Sequence, residues 1–280
     1  LQKIYVIAGP TASGKSELAL RLAEKVGGCI FNADSMQIYR DLKILSARPC
    51  DAEMRGIEHL LYGYADAFYE NNVQDWLQRA VDALKNCDKP PIFTGGTGMY
   101  LNALMQGLSP IPDVDEDMRA LVRAMPIEEV KARVQDCSAT DPQRLRRALE
   151  VQLSTGKPLA YFQQLPKRKW IEADFKVFFV HPPRAELYSQ CNNRLIQMLQ
   201  TGAIEEVRRL MDIGATGGVM KAIGVPEICA YLRKELTYDE MVATIQLSTR
   251  HYAKRQCTWF KHQLLGAEEI VYPKNFVFTV

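Results

Sequence analysis

Gly9-Pro10-Thr11-Ala12-Ser13-Gly14-Lys15-Ser16 decides how the rest of the chain is read. The stretch fits G-x-x-x-x-G-K-[ST] in full, and its surroundings fit as well. Lys3 to Ala8 in front is a β-branched and aromatic run. Glu17 to Val26 behind it carries Leu18, Leu22 and Val26 on one face, the stripe of an amphipathic helix, and Gly27-Gly28 closes that helix. A strand, a glycine-rich turn and a helix start aim backbone N–H groups and a positive dipole at one anion. Lys15 adds a point charge, and the Ser16 hydroxyl is a ligand for Mg²⁺ carried on phosphate oxygens. Gly9, Pro10, Thr11, Ala12, Ser13, Gly14, Lys15 and Ser16 are therefore the expected binding loop for a phosphate or diphosphate. The loop reads phosphates and not a base, so ATP does not follow from it.

Working outward, Cys29 to Phe31 reads as a second strand and Val73 to Leu84 as a helix. Pro91 to Thr94 is a third strand, and Gly95-Gly96-Thr97-Gly98 leads into a helix from Met99 to Met105. Alternating buried strands and helices predict a parallel sheet covered on both faces. The pattern changes at Ser109-Pro110-Ile111-Pro112-Asp113. From there to about Trp170 only helical patterns occur: Asp117 to Ala124, Ile127 to Val134, and Gln143 to Leu153. Phe175 to Val180 is strand-like again. Helices follow over Arg184 to Gln200, Ile204 to Met211, Pro226 to Lys234, and Thr237 to about Leu265, the last opened by a Thr237-x-x-Glu240 capping box. Ile270 to Tyr272 reads as a fifth strand. The expected fold is α/β: a P-loop NTPase-like parallel sheet flanked by helices, formed by residues 1–112 and 173–280. An all-helical insertion spans 113–172.

Asp34, just past the second strand, falls at the C-terminal edge of the sheet, where ligands of open α/β folds bind. A carboxylate there can accept a proton from an attacking group or hold Mg²⁺ through water; the alternative is that it caps the next turn. A nucleotide hydrolase of this fold would end an apolar strand in a Walker-B aspartate. The third strand instead ends in Thr94-Gly95-Gly96-Thr97-Gly98, which holds no acid. That weakens the hydrolase reading and leaves a hydroxyl, Thr97, at the same edge; a tight structural turn is the alternative role for this segment.

Composition sets outer limits. The 280 residues are 47% hydrophobic and 24% charged, which excludes a disordered tail or a collagen. No apolar run approaches the ~18 residues of a spanning helix. The seven cysteines are scattered without a C-x-x-C pair, so reduced thiols in a cytoplasmic protein are expected. The chain opens directly into a strand-like segment with no signal-peptide pattern. Because it begins with leucine, a short native segment is expected ahead of it. The net charge of +2 hides two basic segments. Residues 141–176 hold eight basic and four acidic residues, and residues 249–262 hold four basic and none acidic. Such segments serve equally as solvated faces or as RNA surfaces. Tyr252 and Trp259 in the second segment lie off the Arg250–Lys254 face and are expected in the core.

Five blocks in order resemble the tRNA dimethylallyltransferase family, the bacterial-type tRNA isopentenyltransferases (IPP transferases). They are Gly9 to Ser16, Asp34-Ser-Met-Gln-Ile-Tyr39, Gly95-Gly-Thr-Gly-Met-Tyr100, Asp141-Pro-Gln-Arg-Leu-Arg-Arg-Ala-Leu-Glu150, and Thr249-Arg-His-Tyr-Ala-Lys-Arg-Gln-Cys-Thr-Trp259. The resemblance covers nearly the whole chain. It implies transfer of a dimethylallyl group from dimethylallyl diphosphate to N6 of an adenosine. That adenosine is the one 3′ to the anticodon, in tRNAs reading codons that begin with U. It implies Asp34 as general base, with Lys15, Thr11 and the rest of the loop, together with Mg²⁺ at Ser16, holding the diphosphate. It further implies contact with the tRNA anticodon stem-loop through Asp34, Ser35, Met36, Gln37, Thr97 and Arg119. Gln143, Arg144, Leu145, Arg146 and Arg147, and then Lys221, Arg250, Lys254 and Arg255, belong to the same implied contact set. A monomer with no membrane partner is expected.

The chain departs from the family pattern in two places. Gly-Thr-Ala-Lys-Pro becomes Leu45-Ser46-Ala47-Arg48-Pro49, and Gly-Tyr-Arg/Lys-Glu becomes Gly224-Val225-Pro226-Glu227. Proline cannot supply a basic contact, and Lys221 stands for a family arginine as a point charge without the fork. Somewhat weaker or rearranged binding is expected. Three alternatives compete with the family reading. A P-loop metabolite kinase leaves the two basic blocks without a role. An RNA-binding module with decayed chemistry would not need Lys15, Ser16 and Asp34. An isopentenyltransferase acting on free adenine nucleotides would not need the basic insertion.

Overall fold

In this computed structural model, which describes residues 1–264 and 266–279, the strand ahead of the loop, β1 (Gln2–Ala8), is buried from Ile4 onward. Its apolar run forms the middle of a sheet because strands flank it on both sides. The chain continues through α1 (Lys15–Val26), β2 (Cys29–Asn32), α2 (Asp51–Met54), β3 (His59–Leu60), α3 (Val73–Lys85), β4 (Pro91–Gly95) and α4 (Gly98–Gln106). Then come α5 (Glu116–Ala124), α6 (Ile127–Arg133), α7 (Pro142–Thr155), α8 (Leu159–Gln164) and β5 (Ala173–Val180). The last elements are α9 (Arg184–Gln200), α10 (Ala203–Asp212), α11 (Val225–Leu232), α12 (Tyr238–Gln263) and β6 (Glu268–Ile270).

The sheet runs β3-β2-β4-β1-β5-β6, with every pair parallel. Among the described residues it has six strands where the sequence pattern indicated five. The extra one, β3, is only two residues long, too short for any periodicity to show. The last strand is Glu268–Ile270, earlier than the Ile270 to Tyr272 expected. The final long helix ends at Gln263, and Leu265, which the sequence reading placed at its end, lies outside the described residues. Chain order reverses across β1: β4 lies on one side and β5 on the other. That reversal opens a crevice at the C-terminal ends of the strands, where the loop sits.

Alternation along the strands divides the core. Ile7, Ile30 and Ile92 face Leu18 and Leu22 of α1. Phe31 stacks on Phe93 at 4.7 Å between ring centroids, and Trp76 stacks on Tyr100 at 4.3 Å. The Trp76 indole donates to the Asn32 carbonyl at 3.0 Å, so its buried N–H is satisfied. A separate cluster joins Ile38, Tyr39 and Leu42 to Leu195, Val207, Val225, Ile228 and Met241, seating the segment after β2 on the C-terminal helices. Val225 is fully buried there, and Pro226 falls in the first turn of α11, where a missing N–H costs nothing.

Leu1–Met105 with Ile171–Val280 forms one compact unit, and Gln106–Trp170 forms a second. The second unit packs Val122, Val130, Leu145 and Leu149 as one small core, and Val114, Val151 and Phe162 as another. Leu108 and Arg168 exchange backbone hydrogen bonds of 3.1 and 2.8 Å across its base. The unit contains α8, which the sequence reading did not pick out. Among the described residues no helix is long and apolar enough to cross a membrane. All seven cysteines are free thiols, yet Cys29 and Cys87, far apart in sequence, bring their sulfurs to 2.6 Å.

Candidate active site

The loop between β1 and α1 gets its shape from two left-handed positions, Ala12 at φ 61° and Gly14 at φ 86°. At Gly14 a side chain would be strained and would also press on Pro273, so glycine is required. Ser13 N–H and Lys15 Nζ both donate to the Pro10 carbonyl, at 3.3 and 3.2 Å. The Ser13 hydroxyl is buried and has no hydrogen-bond partner among the described residues. A buried polar atom without a partner at an anion loop is consistent with a ligand oxygen completing it.

Asp34 follows β2 in a turn that the sequence sets up. Its N–H donates to Asn32 Oδ1, and its Oδ1 accepts the Met36 N–H, both at 2.9 Å. One carboxylate oxygen thus does the local turn work, as the bland alternative required. The other, Oδ2, stands over Gly96, 3.5 Å from where a Cβ would sit. Thr97 accepts the Ser35 N–H at 2.9 Å and donates to the Ser35 hydroxyl at 3.2 Å. Its hydroxyl therefore fixes the Asp34 turn. Gln37 donates to the Ser46 and Ala47 carbonyls at 3.1 and 2.9 Å, tying that turn to the segment that departs from the family pattern.

A cavity of about 360 Å³ joins these pieces. Thr11, Arg194, Asp34 and Ser35 line it. Met36, Leu45, Leu195, Met198, Ile223 and Ile245 give it apolar walls, and Lys221 and Arg255 also line it. Arg194 donates to the Thr11 hydroxyl. Burial lowers the Lys15 ammonium to about 8, while Asp34 pulls it up and Arg194 adds to the fall. Burial lowers Arg194 as well. The Tyr252 hydroxyl is pushed up by burial first and by Asp34 second. Arg194 and Asp34 on the lining, with Lys15 near enough to feel both charges, and an apolar wall suit a molecule with an anionic head and a short hydrocarbon tail.

A second cavity of about 480 Å³ is lined by Ser16, Thr94 and Tyr62. The Thr94 hydroxyl is buried there without a partner, at the strand end where a Walker-B acid would stand. Two hydroxyls fit a Mg²⁺ whose other ligands are phosphate oxygens and water. Among the described residues no three His, Cys, Asp or Glu side chains cluster to hold a metal by themselves.

The remaining predicted contacts fall in two groups. Lys221, Arg250, Lys254 and Arg255 belong to the α/β unit. Lys221 is exposed and pairs loosely with Glu70 at 3.8 Å, Arg250 donates to Asn192 Oδ1 at 3.0 Å, and Lys254 is exposed on α12. Arg119, Gln143, Arg144, Leu145, Arg146 and Arg147 belong to the helical unit. Gln143 and Arg144 are exposed, while Arg119 and Arg147 reach Glu116 and Glu150 at 3.7 and 3.4 Å. Leu145 requires a correction: its side chain is 4% exposed in the helical core, so it offers tRNA no surface. Arg146 caps α5 through the Val122 and Met125 carbonyls at 3.2 and 3.1 Å.

Three residues were not singled out in sequence as part of this site. Tyr252, expected in the core, lines the cavity, and Gln256 is buried beside the loop. Arg194 had a legible signal: it shares one helix face with Leu187, Cys191 and Leu195, all three of them buried, and a cation on an apolar stripe needs a reason.

Fold and site together define a protein of the P-loop NTPase-like α/β class. The chain matches the IPP transferase family over residues 37–263 and belongs to it. A tRNA dimethylallyltransferase of Zymomonas mobilis is 42% identical over 275 residues, which cover 93% of this chain and 88% of that one. One from Rhizobium etli is 42% identical over 94% of this chain and 95% of its own. The tRNA delta(2)-isopentenylpyrophosphate transferase of Staphylococcus epidermidis superposes with a TM-score of 0.72 at 29% identity, over 99% of this chain and 95% of that one. A eukaryotic dimethylallyltransferase acting on tRNA gives a TM-score of 0.83 over 98% of this chain and 75% of its own; at 24% identity the likeness is one of fold.

Proposed function

We propose that the chain transfers a dimethylallyl group from dimethylallyl diphosphate to N6 of the adenosine 3′ to the anticodon, in tRNAs reading codons that begin with U. The observation that carries this reading is the shared cavity: Asp34, Thr11 and Arg194 line one space together with an apolar wall of Met36, Leu45, Leu195, Met198, Ile223 and Ile245. The donor's diphosphate sits against the loop, Lys15 and Arg194, and its five-carbon tail lies along Met36, Leu195 and Ile245. The bond from the allylic carbon to the diphosphate oxygen breaks as the bond from that carbon to N6 forms. N6 is a weak nucleophile because its lone pair is delocalised into the ring, so Asp34 takes its proton during attack. The leaving diphosphate keeps the bonding pair, and the buried cations and loop amides stabilise its charge. Ser16, with Thr94 behind it, would hold Mg²⁺, which neutralises phosphate charge when bound. The adenine must leave the anticodon-loop stack, at a cost of about a few kcal/mol. The exposed cations of the helical unit and of α12 hold the surrounding tRNA phosphates.

The test is incubation of the protein with labelled dimethylallyl diphosphate, Mg²⁺, and either unmodified tRNA or AMP. Label is expected in tRNA, mapped to the adenosine beside the anticodon. Label in AMP alone would favour the free-nucleotide reading, and ADP formation from ATP with a small acceptor would favour a kinase.

A further inference from the structure

Gln256 lies on α12, inside the block whose resemblance points to tRNA, but its side chain is turned inward and is 7% exposed. Both ends of its amide are engaged. Oε1 accepts the Thr11 N–H at 2.9 Å, and Nε2 donates to the Gly96 carbonyl at 2.8 Å. The partners fix which end is which, because an N–H requires oxygen and a carbonyl requires nitrogen. Gly96 is built around this contact: a Cβ there would come within 2.3 Å of Nε2. The same Gly96 position faces Asp34 Oδ2, and its neighbour Thr97 holds the Asp34 turn through Ser35. One desolvated amide therefore spans the donor loop and the turn that carries the base.

We infer that Gln256 is a positioning residue for the transfer, setting the spacing between the diphosphate loop at Thr11 and the Gly96–Thr97 turn beside Asp34. The inference rests on the reaction proposed above. Its physical content is that donor carbon and adenine nitrogen sit on opposite sides of this strut. A displacement of about 1 Å between reacting groups can cost on the order of a hundredfold in rate. The Thr11 N–H faces Gln256 rather than a ligand, so the strut acts on geometry and not on donor affinity. Asparagine is too short to span both partners. Leucine keeps the bulk and loses both bonds. Glutamate keeps the acceptor but, when ionised, opposes its charge to the Gly96 carbonyl. Protonated glutamate restores both bonds.

The experiment measures single-turnover transfer to tRNA, donor affinity and melting temperature for Gln256→Leu and Gln256→Glu. Gln256→Leu should lose at least about tenfold in single-turnover rate, with donor and tRNA affinities within about threefold of the parent. Gln256→Glu relative to the parent should recover as pH falls from about 8 to 6, because a buried carboxyl titrates above its usual range. If Gln256→Leu does not fold, the pH-dependent rescue of Gln256→Glu decides alone. A rate unchanged in both variants, or losses that follow tRNA affinity and steepen with salt, overturns the inference. Failure of the reaction itself shows differently: the parent protein then labels no tRNA.

Discussion

Lys15 and Arg194 in the α/β unit are enclosed, hydrogen-bonded to the Pro10 carbonyl and the Thr11 hydroxyl. In the helical unit, Arg144, Lys167, Arg168 and Lys169 stand exposed in solvent. The same charge type serves different physics in the two places. An enclosed cation is desolvated, and its pKa is moved by burial and by the groups around it. Facing a diphosphate, it stabilises charge that develops as the reaction proceeds. An exposed cation is screened by salt and contributes phosphate contacts of modest individual strength. The difference predicts that substitutions in the first region act on donor and chemistry, and those in the second on tRNA and salt dependence.

The sharpest way to break that division is Arg194→Leu. Removing one enclosed charge should cost roughly 10²- to 10³-fold in kcat/KM for dimethylallyl diphosphate, with the KM for tRNA nearly unchanged. A loss confined to tRNA binding would erase the distinction. Arg144→Ala combined with Lys167→Ala should weaken tRNA binding several-fold and make its log–log salt dependence shallower by roughly 1 per lost phosphate contact. Donor affinity should not move; filter binding across salt concentrations measures the effect.

Protonation separates the regions too. Lys15 is held at about 8, below its ordinary value, so it carries its charge below that pH and loses it as pH rises through it. A bound diphosphate favours the charged form, so donor binding at about pH 8.5 should take up somewhat under one proton. Titration calorimetry in two buffers of different ionisation enthalpy reads this directly, and buffer-independent heats would contradict it. The smallest expected effect is at Pro226, which is exposed in the first turn of α11. Restoring a cation there with Pro226→Arg should tighten tRNA binding by about two- to fivefold. No change would show that the position takes no part.

The two regions differ in how far the sequence exposed them. The phosphate loop was legible because its chemistry is local: eight consecutive residues between a strand and a helix carry it. Asp34 was legible for the same reason, placed by the end of β2. Tyr252 and Gln256 were not, and the apolar stripe that marks Arg194 does not say what it reaches, because each enters the site from a distant helix and only tertiary packing brings a residue of α12 against Thr11. Leu145 misled because a contact block carried over whole onto a helix necessarily contains inward positions; between Arg144 and Arg146 one side chain faces the core. The short strand β3 left no periodic trace. The fold around the loop was thus readable from pattern, whereas the far wall of the cavity arises only from tertiary packing.

The account depends most on Asp34 taking the proton from N6 in the same cavity that holds the diphosphate. Single-turnover transfer from labelled dimethylallyl diphosphate to tRNA by Asp34→Asn tests this, with donor affinity measured in parallel. Asparagine keeps the turn oxygen that accepts the Met36 N–H and removes the base. The expected result is a rate lower by about 10²- to 10⁴-fold at nearly unchanged donor affinity. A rate within a few-fold of the parent protein would contradict the account.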